Sequence, residues 1–166
     1  MMKTFMWKIL PFVLLPFALA ACSQQSHAAD EAKLDLVKKL YAHYTEGDGA
    51  EEIKPEQFFT PDFRAVLNRD SKAAEAEGVA CMDYDYVIQG QDFDGQEIAS
   101  TIQYKLTKSG RVYVSFENFG EARVLDYVLS CNQSACLIDD IIEPDGSLKK
   151  NTVQCLDKLA PADKQI

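Results

Sequence analysis

The stretch whose reading decides the fold is RVYVSFENFGEARVLDYVLSCNQSACLIDDII, residues 111–142. Val112, Val114 and Phe116 alternate with Tyr113, Ser115 and Glu117, a period of two that places one set on each side of an extended strand. Two further runs, 122–131 and 136–142, are rich in Val, Leu and Ile. The polar Asn132-Gln133-Ser134-Ala135 between them reads as a hairpin loop. Three strands in succession with short connections point to an antiparallel sheet.

Working outward, Lys108-Ser109-Gly110 reads as a turn. Ahead of it Ile98, Ser100, Ile102, Tyr104 and Leu106 line one side of a run, opposite Thr101, Gln103 and Lys105. Tyr84, Tyr86 and Ile88 alternate with Asp83, Asp85 and Val87 in the same way. Both are expected as strands. Downstream, Pro144-Asp145-Gly146 marks a turn. A helix is expected over 148–159, with Leu148, Thr152, Cys155, Leu156 and Leu159 along one face.

The first half is helical. Asp30 is a candidate N-cap for a helix whose Leu34, Val37, Leu40, Tyr41 and Tyr44 form a stripe, ending at Gly47-Asp48-Gly49. Thr60-Pro61-Asp62 combines a capping hydroxyl, a proline at the first helical position and an early acid. It opens a second helix that buries Phe63, Val66 and Leu67 and that residues 71–77 either prolong or follow as a short helix. Helices followed by a meander define an α+β domain: N-terminal helices on a curved antiparallel sheet of about four to five strands, closed by a C-terminal helix.

The amino terminus reads as an export signal. Lys3 and Lys8 precede an uncharged apolar run, residues 9–18, interrupted by Pro11 and Pro16. A bilayer span needs about 20 apolar residues, so this run is too short. It ends in Leu19-Ala20-Ala21-Cys22, which resembles the bacterial lipobox, whose cysteine is lipid-modified after cleavage just ahead of it. Residues 1–21 are thus expected as a lipoprotein signal peptide, 22–29 as a tether, 30–160 as one domain and 161–166 as a tail. Acylated Cys22 would place the chain on a bilayer. Ser23, where aspartate commonly signals inner-membrane retention, favours the periplasmic face of the outer membrane. Removing Lys3 and Lys8 takes the formal charge from −9 to −11, which disfavours nucleic acid as a partner.

With Cys22 assigned to lipid, Cys81, Cys131, Cys136 and Cys155 remain. An even set in an exported domain points to disulfides. Pairing Cys131 with Cys136 at the base of the hairpin leaves Cys81 for Cys155; two other pairings exist. The spacing lacks the paired knuckles of a zinc site.

Leu40-Tyr41-Ala42-His43-Tyr44, Phe58-Phe59-Thr60-Pro61-Asp62-Phe63, Asp92-Phe93 and Leu137-Ile138-Asp139-Asp140-Ile141 together resemble the YbjP-type domain of small bacterial envelope proteins, over roughly residues 32–143. Cys136 departs from the aromatic usual in that pattern. The resemblance implies a cystatin-like cone, similar to the SnoaL superfamily, and no particular activity.

Chemistry is sparse. Serine nucleophile elbows, phosphate loops and dinucleotide fingerprints are missing from the sequence, and no cofactor or metal is expected. His43 borders the stripe of the first helix, and Asp139 and Asp140 would point to opposite faces of a strand. His43 and Asp140 are the candidate acid–base pair of a cone-fold isomerase or hydrolase. Asp83, Asp85, Asp92 and Asp94 are oxygen donors that could meet around a hard cation or ligand, although the EF-hand spacing is absent. The tyrosines of the sheet suit a binding surface. The expectation is a non-enzymatic binding module for an envelope protein, peptide or small ligand, with the cone-fold enzyme as the alternative.

Overall fold

The computed structural model describes residues 21–46, 54–132 and 135–159, with the backbone alone at 21–27 and Glu77. The leader, the Gly47-Asp48-Gly49 stop, the tail and the Cys22 side chain lie outside the described residues.

Helix α1 spans Ala21–Thr45. It takes in residues 22–29, expected as a tether, and Asp30 is not its cap but an interior residue paired with Lys33 at 3.6 Å. Glutamine and alanine are good helix formers, so the stretch propagates the helix instead of delaying it. A 3₁₀ turn, Pro55–Phe58, leads into α2, Pro61–Glu77. Thr60 caps α2, its hydroxyl accepting from the Phe63 N–H at 3.2 Å. Residues 71–77 do prolong this helix, which Gly78 closes in the left-handed conformation, φ 68°.

The sheet is a five-stranded antiparallel meander in chain order: β1 Gln103–Leu106, β2 Val112–Asn118, β3 Glu121–Cys131, β4 Cys136–Glu143 and the short β5 Gly146–Ser147. Helix α4, Leu148–Leu159, follows and buries Leu148, Thr152 and Leu156. The architecture is the expected α+β class with its C-terminal helix.

Two expected strands are corrected. Residues 98–101 belong to helix α3, Gly95–Thr101, with Ile102 as its extended C-cap, and only 103–106 of that run form a strand, β1. Ile98 and Ile102 fit a strand period, but they also stand four apart on a helix. The Asp94 carboxylate decides the matter by capping the helix, accepting from the Gln96 and Glu97 N–H groups at 3.0 Å. Residues 84–88 form a turn with one bridge, Asp85 to Gly90, not a strand. Asp85 folds back to accept from the Val87 N–H at 2.8 Å. The consecutive Val87 and Ile88 are both buried, which a strand with one wet face would not allow.

Val37, Leu40, Tyr41 and Tyr44 of α1 pack on Val112, Val114, Phe116, Leu125 and Tyr127 of the sheet. Phe59, Phe63 and Ile138 close one end of this core. Two hydroxyls inside it are satisfied: Tyr127 donates to Tyr41 at 2.9 Å, and Tyr41 donates to the Val87 carbonyl at 2.8 Å. Cys81 is bonded to Cys155, tying the loop after α2 to α4, and Cys131 is bonded to Cys136 across the β3–β4 hairpin. Both pairings are the expected ones.

Candidate functional site

The expected acid–base pair does not assemble. A register shift between Val128 and Leu129 marks a bulge where β3 meets β4. An extra residue in β4 breaks strict alternation, so Asp139 and Asp140 do not point to opposite faces as expected; both reach Lys149. Asp139 Oδ1 accepts from Lys149 Nζ at 3.0 Å and from the Thr60 hydroxyl at 2.9 Å. Asp140 accepts from the Lys149 N–H at 3.0 Å and from the Ser147 hydroxyl at 2.6 Å. Ser147 in turn accepts from the Lys150 N–H at 3.0 Å. The two aspartates therefore brace the N-terminal caps of α2 and α4. Burial works against ionisation of Asp139, but the bonds from Lys149 and Thr60, with the lysine's charge, outweigh it and hold its pKa below the ordinary value.

His43 lies elsewhere, exposed on the last turn of α1 with its ring edge-on to Tyr44 at 5.2 Å. It borders an open groove of about 1050 Å³ between the end of α1, the start of α3 and the β2–β3 hairpin tip. Asp140 is not among the residues lining that groove.

The four other candidate aspartates are likewise dispersed. Asp85 accepts from the Tyr44 hydroxyl. Burial, aided by that carboxylate, pushes the Tyr44 pKa far above its ordinary value, so the phenol stays a donor. Asp94 caps α3, the Asp92 carbonyl accepts from Asn118, and the Asp83 carbonyl accepts from Gln91. Among the described residues no group of three or more His, Cys, Asp or Glu side chains is placed to hold a metal ion.

What the groove does have is aromatic surface. Phe93 and Phe119 line it and remain 43% and 63% exposed. Phe119 sits at the tip of the hairpin with φ 53°, followed by Gly120 at φ 73°. Two residues in this left-handed region make the tight turn that a twisted hairpin favours. Asparagine or glycine is the usual occupant of the first, and a phenylalanine there is strained.

The backbone that carries each ring is hydrogen-bonded in place. The buried Asn118 accepts from the Asp94 N–H at 3.0 Å and donates to the Asp92 carbonyl at 3.1 Å, fixing the loop that carries Phe93. Glu97 accepts from the Gly120 N–H with both oxygens at 3.1 Å, fixing the tip that carries Phe119. Phe93 also meets Tyr44 edge-on at 5.2 Å. Gly95 lets α3 approach α1, because a Cβ there would stand 2.7 Å from the Tyr44 carbonyl oxygen. Of these, sequence reasoning singled out Phe93 only within a motif, placed Gly95 in a turn without its close approach to α1, and missed Phe119, Asn118 and Glu97. Asn-Phe-Gly between two alternating runs was the available signal for the turn.

Comparison with protein-family models, characterised proteins and solved structures found no match. Among the described residues no helix is long and apolar enough to cross a membrane.

Proposed function

We propose that this chain is a lipid-tethered, non-enzymatic binding module of the bacterial envelope, facing the periplasm from the outer membrane and taking its partner in the groove beside α3. The single observation that carries the reading is the pair of exposed rings, Phe93 and Phe119, on a groove whose rim is braced by Asn118 and Glu97. Keeping large apolar side chains in water at defined positions costs stability and rewards contact with a partner. Two disulfides suit an oxidising compartment, and the Leu19-Ala20-Ala21-Cys22 sequence supplies the anchor. Kinship with the YbjP-type domains and their cone fold is part of the same proposal.

The cone-fold enzyme loses its motivation, because the Asp140 carboxylate is committed to capping α4 and His43 stands on a groove that Asp140 does not line. The test is envelope fractionation with intact-mass measurement of the mature chain, followed by cross-linking in place. A diacylated or triacylated Cys22 terminus is expected, with a discrete adduct that disappears in a Phe93→Ser/Phe119→Asn double variant. A soluble, unacylated chain would overturn the tether, and an adduct indifferent to the double variant would overturn the groove.

A further inference from the structure

We infer that the occupant of the groove is a basic peptide segment of a partner protein, with an arginine or lysine head seated against Phe93 and Phe119. This rests on the binding-module reading and names its partner class. The first ground is charge. The described lining includes Asp94 and no lysine or arginine, and the whole chain carries a formal charge of −9. Both cap bonds of Asp94 fall on Oδ1, so they leave Oδ2 free of that duty.

The second ground is the helix end. His43, Tyr44 and Thr45 bring the C-terminus of the 25-residue α1, which carries partial negative charge, to one wall of the groove, while the opposite partial charge at the start of the seven-residue α3 is met by its Asp94 cap. The third is the aromatic surface, whose ring faces attract guanidinium and ammonium groups. An open groove of about 1050 Å³ is far larger than one cationic head, which suits a peptide carrying the head better than a small free amine.

The test uses the full-length chain in mild detergent and fluorescein-labelled peptides of alternating glycine and arginine, read by anisotropy. The same peptides with citrulline or glutamate in place of arginine are the controls. The arginine peptide is expected to bind, more weakly as salt rises, and the neutral and acidic peptides at least tenfold more weakly or not at all. Phe119→Asn should weaken it by about tenfold. Asp94→Asn should weaken it by about threefold to tenfold, and it keeps the cap oxygen, so α3 still forms. Val79→Ser, at an exposed apolar position outside the groove lining, should leave affinity unchanged.

Equal binding of the citrulline peptide that still needs Phe119 would overturn the basic-segment inference while leaving a binding groove. Failure of the arginine peptide to bind, or binding indifferent to both groove variants, would also overturn it. The envelope cross-link then judges the groove separately.

Discussion

At the scale of the residue, the informative positions are those where a side chain departs from what its local structure would prefer. Phe119 holds a left-handed backbone that costs an ordinary L-residue roughly 1–2 kcal/mol, and it spends that on a ring left mostly in water. Phe119→Asn should therefore stabilise the fold by about 0.5–1 kcal/mol, read as a raised denaturation midpoint, while partner binding falls. A stability loss would show instead that the ring is structural. Asp140 is the opposite case. Its carboxylate takes the Lys149 N–H and the Ser147 hydroxyl, so Asp140→Ala should cost about 2–3 kcal/mol in urea unfolding, as charge-assisted bonds do. A variant as stable as the parent would return the carboxylate to the list of catalytic candidates.

At the scale of the element, Gly95→Ala presses a methyl on the Tyr44 carbonyl, and overpacking against backbone costs about 1–3 kcal/mol. The α1–α3 contact should loosen, seen as faster amide exchange at Ile98 and Ile102. Unchanged exchange there would contradict the close approach. The same region shows where sequence reading stops. Strands β2 to β4 and α4 were legible because β-branched alternation and a helical stripe each admit a single period over 111–159. Thr60-Pro61-Asp62 was legible because capping chemistry is local. Residues 84–102 misled because Ile98 and Ile102 satisfy both periods, and because the Asp85 and Asp94 side chains bond to backbone two and three residues on. The paired cysteines were readable from parity and spacing. The groove was not, since it is made by the end of α1, α3 and a hairpin tip that only the tertiary fold brings together.

At the scale of the whole molecule, cross-links and charge set the operating conditions. The bond between Cys81 and Cys155 spans 74 residues, and closing so long a loop stabilises by about 4 kcal/mol in the chain-entropy view. Replacing both cysteines with serine should lower the melting temperature far more than the same change at Cys131 and Cys136, whose separation is 5. Equal losses would deny the clamp on α4 its role. Acid acts through Asp139, whose folded pKa is lowered. Its contribution is complete above the range of an unfolded aspartate and is lost as pH falls through the folded value. Glu143 runs the other way: burial raises its pKa despite bonds from Tyr84 and Gln89, so its penalty grows as pH rises through the carboxylate range. Asp139→Asn should flatten the acid limb of the melting profile, and Glu143→Gln should relieve the penalty above it; no change in either limb would contradict these assignments. The binding claim is tested most directly by a photoreactive side chain placed in turn at Phe119, Phe93 and Val79 in intact cells. Partner adducts are expected from the first two positions and none from Val79. Adducts from Val79 alone, or from no position, would contradict the groove as the working surface of this protein.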